Sequence, residues 1–378
     1  MHPIVIVGSG LAGYTLLKEI RKRDTTTPVT LVTADDGAFY SKPNLSNALA
    51  TNRTAAALSS ASAEKMATDQ NAMVLTHTRV TSIDTQNQRV QTDGDELEYS
   101  RLVLALGADP FPHGLAGSGA ASVMAVNDLA DYAAFRNALE GKKRVTVLGG
   151  GLIGCEFAND LVHAGFAVDV VHLGEWPLER LLPVEAGRRL ADSLAALGVN
   201  WHFGRTGKRV EQTAGGYQVV LDNGQAIEAD VVLSAIGLRP RTQLAQAAGI
   251  PVGRGIQTNG LLETGAPNVY AMGDCAEVEG LNLPYVQPLM VQARALAATL
   301  TGTPTPVVYP VMPVMVKTPA HPVAVLPPRI GAAGGWKVEC GDTGICALHT
   351  DDSGRLQGFA LTGSETGRRN ALVKELAA

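Results

Sequence analysis

Apolar and polar positions repeat one pattern twice along the chain. An apolar run at residues 4–7 leads into the sequence G-x-G-x-x-G at 8–13, and apolar residues then recur at helical spacing up to residue 20. A second apolar run at 29–32 leads to Asp35. Strand, glycine turn, helix and second strand form the βαβ unit that binds dinucleotides, with phosphate at the helix N-terminus and an acid on the ribose. The pattern predicts such a site here.

The same order of elements returns 141 residues later (149 − 8). Residues 145–148 are apolar, residues 149–154 again have the sequence G-x-G-x-x-G, and a helical pattern leads to an apolar run at 168–171. We therefore expect two nucleotide sites. One working site and one relic is the alternative.

The second unit lacks the acid that the pattern expects at the end of its second strand. His172 stands there instead, and Glu175 follows three residues later. A basic cluster suited to a 2′-phosphate is also missing, since the nearest arginine is Arg180. The unit therefore favours NAD over NADP, with Glu175 or the backbone holding the ribose.

The remaining pattern predicts two segments in which the chain passes from one domain into the other. It also predicts a separate C-terminal region. Apolar strands end at Gly107 and at Gly237, and prolines crowd residues 304–328 before short alternating segments and a final helix from about Arg369. We predict an α/β fold with two Rossmann-like (βαβ) dinucleotide-binding domains, the second inserted in the first, and a small α+β C-terminal domain. The predicted boundaries are 1–110 with 236–305 for the first domain, 111–235 for the second and 306–378 for the third.

Composition narrows the function. Hydrophobic residues make up 46% and charged residues 18%, and the net charge of −5 disfavours nucleic-acid binding. No run of eighteen apolar residues predicts a membrane span, and the first strand begins too early to leave room for a signal peptide, so we expect a cytoplasmic protein. The four cysteines form no C-x-x-C pair and are expected as free thiols, and no Cys and His cluster predicts a metal site.

Two side chains suggest chemistry next to these units. Glu156 falls in the first turn of the second predicted helix, where it is either a surface glutamate favoured by the helix dipole or a group beside the nicotinamide. Lys42 follows the second strand of the first unit, in an ordinary loop or in a segment that reaches the cofactor phosphates.

Five motifs in this order resemble the FAD/NAD-linked pyridine nucleotide-disulfide oxidoreductase superfamily. They are the two glycine units, Ala105-Leu106-Gly107, the segment Ala235-Ile236-Gly237-Leu238-Arg239-Pro240 and the segment Val269-Tyr270-Ala271-Met272-Gly273-Asp274. The resemblance implies FAD on the first unit and on the segment returning at Gly273-Asp274, with NAD on the inserted unit. Asp274 is then a hydrogen-bond partner of the ribityl chain, and a helix-capping aspartate is the alternative.

Within the superfamily the chain resembles the rubredoxin–NAD reductases of alkane-degrading bacteria. The motifs that it shares with them are 35–37 (DDG), 40–46 (YSKPNLS), 155–161 (CEFANDL), 273–278 (GDCAEV) and 316–319 (VKTP). The resemblance implies FAD, NADH as electron donor and rubredoxin, a small acidic iron protein, as partner, with alkane hydroxylation downstream. The redox disulfide of glutathione reductase-like members is absent around residues 40–47.

Without that disulfide, we expect electrons to leave from the flavin itself, one at a time, toward an iron–sulfur carrier. Lys42, Arg294 and Lys317 are candidates for steering an acidic partner. Lys317 lies between apolar neighbours, so it either extends its charge to solvent or stabilises a reduced, anionic flavin. A [2Fe–2S] ferredoxin as acceptor, and a non-catalytic flavin redox sensor, are the competing functions.

These interpretations give a set of candidate site residues. The candidate catalytic residues are Glu156 and Lys317. The candidate FAD contacts are Gly8, Gly10, Leu11, Ala12, Gly13, Asp35, Lys42, Pro43, Val80, Ala105, Gly107 and Asp274. The candidate NAD contacts are Gly149, Gly151, Leu152, Ile153, Gly154, Glu156, Glu175 and Gly237.

Overall fold

The chain divides into two compact units. A computed structural model describes residues 2–329 and 331–377. The first unit comprises Met1–Lys42, Ala56–Asp109 and Leu238–Tyr309, and the second comprises Pro43–Ala55, Pro110–Gly237 and Pro310–Ala378.

Helices occur in both units. Those of the described residues are α1 (Leu11–Arg21), α2 (Ala55–Leu58), α3 (Ala63–Asp69), α4 (Leu129–Ala138), α5 (Leu152–His163), α6 (Val184–Ala195), α7 (Gln243–Ala247), α8 (Val286–Leu300) and α9 (Arg369–Ala377). Short 3₁₀ segments are Lys42–Asn47, Ala120–Ser122, Gly273–Cys275 and Gly363–Arg368.

The strands are mostly short. They are β1 (Ile4–Val7), β2 (Val29–Val32), β3 (Phe39–Tyr40), β4 (Ser59–Ala61), β5 (Met73–Leu75), β6 (Val80–Asp84), β7 (Arg89–Thr92), β8 (Glu96–Glu98), β9 (Arg101–Leu104), β10 (Ala108–Pro110), β11 (Arg144–Leu148), β12 (Ala167–His172), β13 (Val199–Phe203), β14 (Gly207–Thr213), β15 (Gly216–Leu221), β16 (Ala226–Ala229), β17 (Val231–Ser234), β18 (Leu238–Pro240), β19 (Ile256–Thr258), β20 (Val269–Ala271), β21 (Ala276–Val278), β22 (Val314–Val316), β23 (Val323–Leu326), β24 (Gly335–Cys340), β25 (Ile345–Thr350) and β26 (Leu356–Thr362).

A parallel five-stranded sheet forms the centre of the first unit. Its order is β20-β9-β1-β2-β5, and β1 pairs in parallel with β2 and β9. Every residue of β1 and β2 is buried, as expected for a parallel sheet covered on both faces. Helices α1 and α8 pack against each other and add apolar side chains to the same core.

The second unit contains a parallel four-stranded sheet in the order β13-β12-β11-β17 and an antiparallel sheet in the order β14-β15-β16. The sequence pattern over 199–221 suggests a hairpin, which is correct only for β14 and β15. Strand β13 instead pairs in parallel with β12. It is an edge strand whose side chains are partly exposed, and that partial exposure produces the mixed polar and apolar pattern of a hairpin strand.

The C-terminal part of the second unit is a small α+β assembly. Its antiparallel sheet has the order β22-β23-β26-β25-β24. One face packs α9 over an apolar cluster that includes Phe359 and Leu372, and α6 contacts β25 and β26. The predicted final helix corresponds to α9, and the predicted fold class is confirmed.

Across the described part of the chain, no helix combines the length and apolar character needed to cross a membrane.

Candidate functional site

The first glycine turn joins β1 to α1 in the first unit. Gly8 has φ +115°, and a Cβ there would lie 2.3 Å from the carbonyl oxygen of Ala105. A Cβ on Gly13 would lie 1.9 Å from the carbonyl oxygen of Gly8. Gly10 differs, because a Cβ there would meet nothing within 4 Å. Two glycines are therefore required by the protein's own backbone, and the third leaves open space at the start of α1.

The second glycine turn, in the second unit, repeats this geometry. Gly149 has φ +106°, and its Cβ would lie 2.5 Å from the carbonyl oxygen of Ala235. A Cβ on Gly154 would lie 1.9 Å from the carbonyl oxygen of Gly149. A Cβ on Gly151, the N-cap of α5, would meet nothing within 4 Å. Neither α1 nor α5 has a side-chain N-cap, so the first backbone N–H groups of each remain available to an anion. Both turns fit a dinucleotide pyrophosphate.

Asp35 follows β2 and is fixed beside the first turn. Its Oδ1 accepts hydrogen bonds from Ser9 Oγ (2.9 Å), Thr33 Oγ1 (2.6 Å) and the Gly37 N–H (3.0 Å). All three bonds use one oxygen, which leaves Oδ2 for ribose hydroxyls. Ser9 and Thr33 were not predicted, because the glycine pattern does not specify which side chains orient the acid.

His172 occupies the corresponding place at the end of β12. Its Nδ1 accepts the Gly150 N–H at 3.1 Å, and its Nε2 lies 3.1 Å from the carbonyl oxygen of Trp176. Burial lowers the pKa of His172, which favours the neutral ring that this acceptor role requires. Glu175, three residues after His172, is exposed. A neutral imidazole thus lies against the turn where the first unit has an acid.

Asp274 lies in the 3₁₀ segment that follows β20. Burial raises the pKa of this carboxyl group, and the charge of Lys42 partly offsets the effect. Its side chain forms no hydrogen bond within residues 2–329 and 331–377, although its carbonyl oxygen accepts one from Asn282. A half-buried carboxyl group without a hydrogen-bond partner is suited to bind ligand hydroxyl groups.

The other candidate residues lie on or next to these elements. In the first unit, Leu11 and Ala12 begin α1, Lys42 begins a 3₁₀ segment, Val80 begins β6, and Ala105 and Gly107 follow β9. In the second unit, Pro43 continues that 3₁₀ segment, Leu152 and Ile153 begin α5, and Gly237, at φ +117°, follows β17.

Glu156 lies in the second turn of α5, because the helix begins at Leu152 rather than later. The expectation of a first-turn position was therefore wrong. The side chain is only 2% exposed, which contradicts the surface-glutamate alternative. Burying a carboxylate costs free energy unless it is paired and hydrogen-bonded.

Lys317, immediately after β22, supplies that pairing. Its Nζ lies 2.8 Å from Glu156 Oε2, and its backbone N–H donates to Glu156 Oε1 at 2.9 Å. The ammonium group also donates to the carbonyl oxygen of Pro43, and Ser46 Oγ donates to Glu156 Oε2. The lysine charge is thus held in a cluster of Glu156, Lys317, Ser46 and Pro43, and it does not extend freely into solvent.

The thiols have structural roles. Burial raises the pKa of Cys275 to about 11 and raises that of Cys155 further, so both remain protonated at neutral pH. Cys155 Sγ donates to the carbonyl oxygen of Gly150, and Cys275 Sγ donates to that of Leu104. All four cysteines are free, as expected, and only Cys340 is exposed. The three buried thiols therefore have a pKa raised above that of a free thiol, opposite to the lowered pKa of a redox-active thiolate.

Comparison with known proteins agrees with this geometry. Residues 2–297 match the family described as pyridine nucleotide-disulphide oxidoreductase, and residues 306–376 match the rubredoxin binding C-terminal domain. A rubredoxin-NAD(+) reductase of Alcanivorax borkumensis is 52% identical over 100% of this chain and 99% of the relative. One from Acinetobacter baylyi is 46% identical over 100% and 98%. Among solved structures, a ferredoxin reductase from Rhodopseudomonas palustris has a TM-score of 0.89 at 26% identity, covering 99% of this chain and 95% of that one.

Substitution of two glycines separates ligand binding from folding. Gly10→Ala should yield folded protein with reduced FAD content, because its Cβ enters only the open space at the start of α1. Gly13→Ala should instead destabilise the fold, because its Cβ meets backbone. Flavin absorbance and thermal unfolding of both variants test this difference. If Gly10→Ala retained the FAD content of the wild type, the assignment of the first glycine turn to the FAD site would be contradicted.

Alkylation tests the thiol assignment. Iodoacetamide at pH 8 should label Cys340 alone in the native protein, because the other three thiols are buried and burial raises the pKa of each. NADH oxidation should be unchanged after labelling. Peptide mass spectrometry identifies the site, with Cys340→Ser as the unlabelled control and denatured protein as the fully labelled one. Rapid loss of activity with labelling at Cys155 or Cys275 would contradict the assignment.

Proposed function

This chain belongs to the pyridine nucleotide-disulphide oxidoreductase family, and from that membership we propose that it is a FAD-dependent reductase that takes hydride from NADH and passes single electrons to rubredoxin. The observation that carries the proposal is the match of residues 306–376 to a rubredoxin-binding domain, joined to two dinucleotide turns in one chain. Domain boundaries of 1–110 with 236–305, 111–235 and 306–378 remain part of the proposal.

When bound, FAD would supply two-electron uptake from NADH and one-electron release, and the protein's residues would bind and orient the two nucleotides. The turn at Gly8–Gly13 and the Oδ2 atom of Asp35 would hold the adenosine end of FAD. Asp274 would accept hydrogen bonds from the ribityl hydroxyl groups. The turn at Gly149–Gly154 would hold the NADH pyrophosphate.

Glu156 and Lys317 are the residues that we assign to the reacting end of the nucleotides. Glu156 would position the nicotinamide, since it follows the second glycine turn along α5 and is held rigidly by three donors. Lys317 places a positive charge beside Glu156, and that charge would favour a reduced, anionic flavin.

The basic residues Lys42, Arg294 and Lys317 would attract an acidic carrier. Arg294 is exposed on α8, and Lys317 is partly exposed despite its ion pair. Complementary charge mainly accelerates encounter, and salt screens it over about 8–10 Å at physiological ionic strength. A small interface with the partner suits a carrier that must dissociate after each electron.

We also propose a cytoplasmic location and a role in alkane hydroxylation. The free cysteines support a reducing compartment. The resemblance to reductases of alkane-degrading bacteria supports rubredoxin-dependent hydroxylation as the downstream reaction. A [2Fe–2S] ferredoxin is the second candidate acceptor, because a ferredoxin reductase shares this fold at 26% identity.

Carrier specificity tests the proposal directly. NADH-dependent reduction of cytochrome c should rise strongly when rubredoxin is added and little when a [2Fe–2S] ferredoxin is added. Raising salt should slow the rubredoxin-dependent rate more than ferricyanide reduction, because only the former needs electrostatic encounter. A larger increase with ferredoxin would identify ferredoxin, and not rubredoxin, as the acceptor. Equal salt sensitivity of the rubredoxin-dependent and ferricyanide-dependent rates would contradict electrostatic steering. A long-lived NADH complex with no turnover would favour the redox sensor.

The flavin potential tests the role of Lys317. Lys317→Met should lower the potential, because it removes a positive charge and leaves the Glu156 carboxylate without its ion-pair partner. Lys337→Met, at an exposed position of the same C-terminal sheet, is the matched control and should leave the potential unchanged. Equal potentials in wild type and Lys317→Met would assign the lysine a structural role only.

A further inference from the structure

One face of α5 presents three buried polar side chains. Glu156, Asn159 and Asp160 are spaced i, i+3 and i+4, so they lie on the same side of the helix. Each is at most 3% exposed. The other buried residues of this helix are mainly apolar or small, as expected for a helix that packs on a parallel sheet. Three buried polar groups on one face therefore need bonding partners from elsewhere in the unit.

Asp160 binds backbone rather than a cation. Its Oδ2 accepts the Leu49 N–H at 2.9 Å, and its Oδ1 accepts the Ala50 N–H at 3.0 Å. Burial nevertheless raises the pKa of Asp160, and these backbone hydrogen bonds offset only part of that effect. A buried carboxyl group that uses both oxygens on successive N–H groups fixes the conformation of the segment that donates them.

We call residues 43–50 the strap. Near its start, the Pro43 carbonyl oxygen accepts from the Lys317 ammonium group, and Ser46 Oγ lies 3.4 Å from Lys317 Nζ and donates to Glu156. At its end, Leu49 and Ala50 donate to Asp160. The strap is thus held on α5 at two points one helical turn apart, and it supplies two of the polar partners of Lys317.

Asn159 fixes the segment after Lys317 in the same way. Its Oδ1 accepts the Ala320 N–H at 3.3 Å. The lysine therefore lies between two chain segments that are both hydrogen-bonded to the polar face of α5. The position of its ammonium group therefore depends on Asn159 and Asp160 as well as on Glu156.

We propose that Asp160 is a positioning residue for electron transfer from NADH. By holding the end of the strap, it keeps Pro43 and Ser46 where they orient the Lys317 ammonium against Glu156. The inference rests on the proposed function in one respect, namely that Glu156 and Lys317 act at the reacting end of the nucleotides. Within residues 2–329 and 331–377, the hydrogen bonds of Asp160 come from backbone N–H groups, and its proposed role does not require contact with substrate.

Asp160→Asn tests the proposal, because the amide keeps the shape but replaces one acceptor oxygen by a donor. We expect faster hydrogen exchange at Leu49 and Ala50 and faster reaction of Lys317 with an amine-specific reagent. The rate constant for flavin reduction by NADH should fall by about tenfold, less than the roughly hundredfold loss that a misplacement of about 1 Å can cause. FAD content and the NADH dissociation constant should be unchanged. Stopped-flow absorbance and peptide mass spectrometry of the holoenzyme give these values.

Asp230→Asn is the matched control. Asp230 Oδ2 also accepts two backbone N–H groups, from Lys143 and Arg144, both at 2.9 Å, and Oδ1 pairs with the Arg144 guanidinium at 2.7 Å, so none of these bonds goes to the strap. This variant should lose stability without slowing flavin reduction. If Asp230→Asn slows the reaction as much as Asp160→Asn does, the effect is a general loss of rigidity and the proposal fails.

Three further outcomes separate the role of Asp160 from a purely structural one and from the choice of acceptor. Wild-type flavin reduction in Asp160→Asn with the strap amides exposed would make Asp160 a structural anchor and overturn the proposal. Should Asp160→Asn fail to fold, Asp160→Glu retains the charge but displaces it, and folded Asp160→Glu must show slower reduction. Failure of wild type to reduce rubredoxin would overturn the acceptor only, because the flavin-reduction comparison does not use rubredoxin.

Discussion

The buried charge of Glu156 is the constraint on which the second unit's functional cluster depends. A carboxylate at 2% exposure is tolerated only if it is fully compensated, and here one ammonium group, one backbone N–H and one hydroxyl group do so. These donors come from residue 46 and residue 317, which are far apart in the chain. One charge on α5 therefore joins the strap to the C-terminal sheet. Removing either partner would leave an uncompensated charge, so the segments are expected to hold one arrangement.

The glycine turn explains why that charge lies where it does. Gly154 brings the start of α5 against the preceding turn, since its Cβ would lie 1.9 Å from the Gly149 carbonyl oxygen. The close approach fixes where α5 begins and hence which face Glu156 and Asp160 occupy. The same backbone constraint that leaves N–H groups open for a pyrophosphate therefore also positions the carboxyl groups beyond it. The turn at Gly149–Gly154 therefore determines both the open N–H groups at the start of α5 and the position of the buried polar face of that helix.

Local patterns in the sequence were sufficient to predict the two βαβ units and the helix at Arg369–Ala377, because glycine spacing and apolar periodicity are set by neighbouring residues. The free thiols were predicted from the lack of a C-x-x-C pair and from the expected reducing compartment. They were insufficient for Val199–Phe203, whose edge position in a parallel sheet gives the same pattern as a hairpin strand. The pairing of Glu156 with Lys317 spans 161 positions, and no local signal specifies such a contact. One feature of the sequence does point to Asp160. It is a second acidic residue, four positions after Glu156, in a helical segment whose other residues are mostly apolar or small. The assignment of individual residues to FAD or NAD stays a prediction.

A double-mutant cycle on Glu156 and Lys317 tests the central claim, that these two side chains act as one unit in the transfer of electrons from NADH to the flavin. The measured quantity is the rate constant for flavin reduction in wild type, Glu156→Gln, Lys317→Met and the double variant, at saturating NADH. The account predicts strong non-additivity, with the double variant no slower than the slower single variant. Effects that simply add, with each substitution slowing reduction independently, would contradict it.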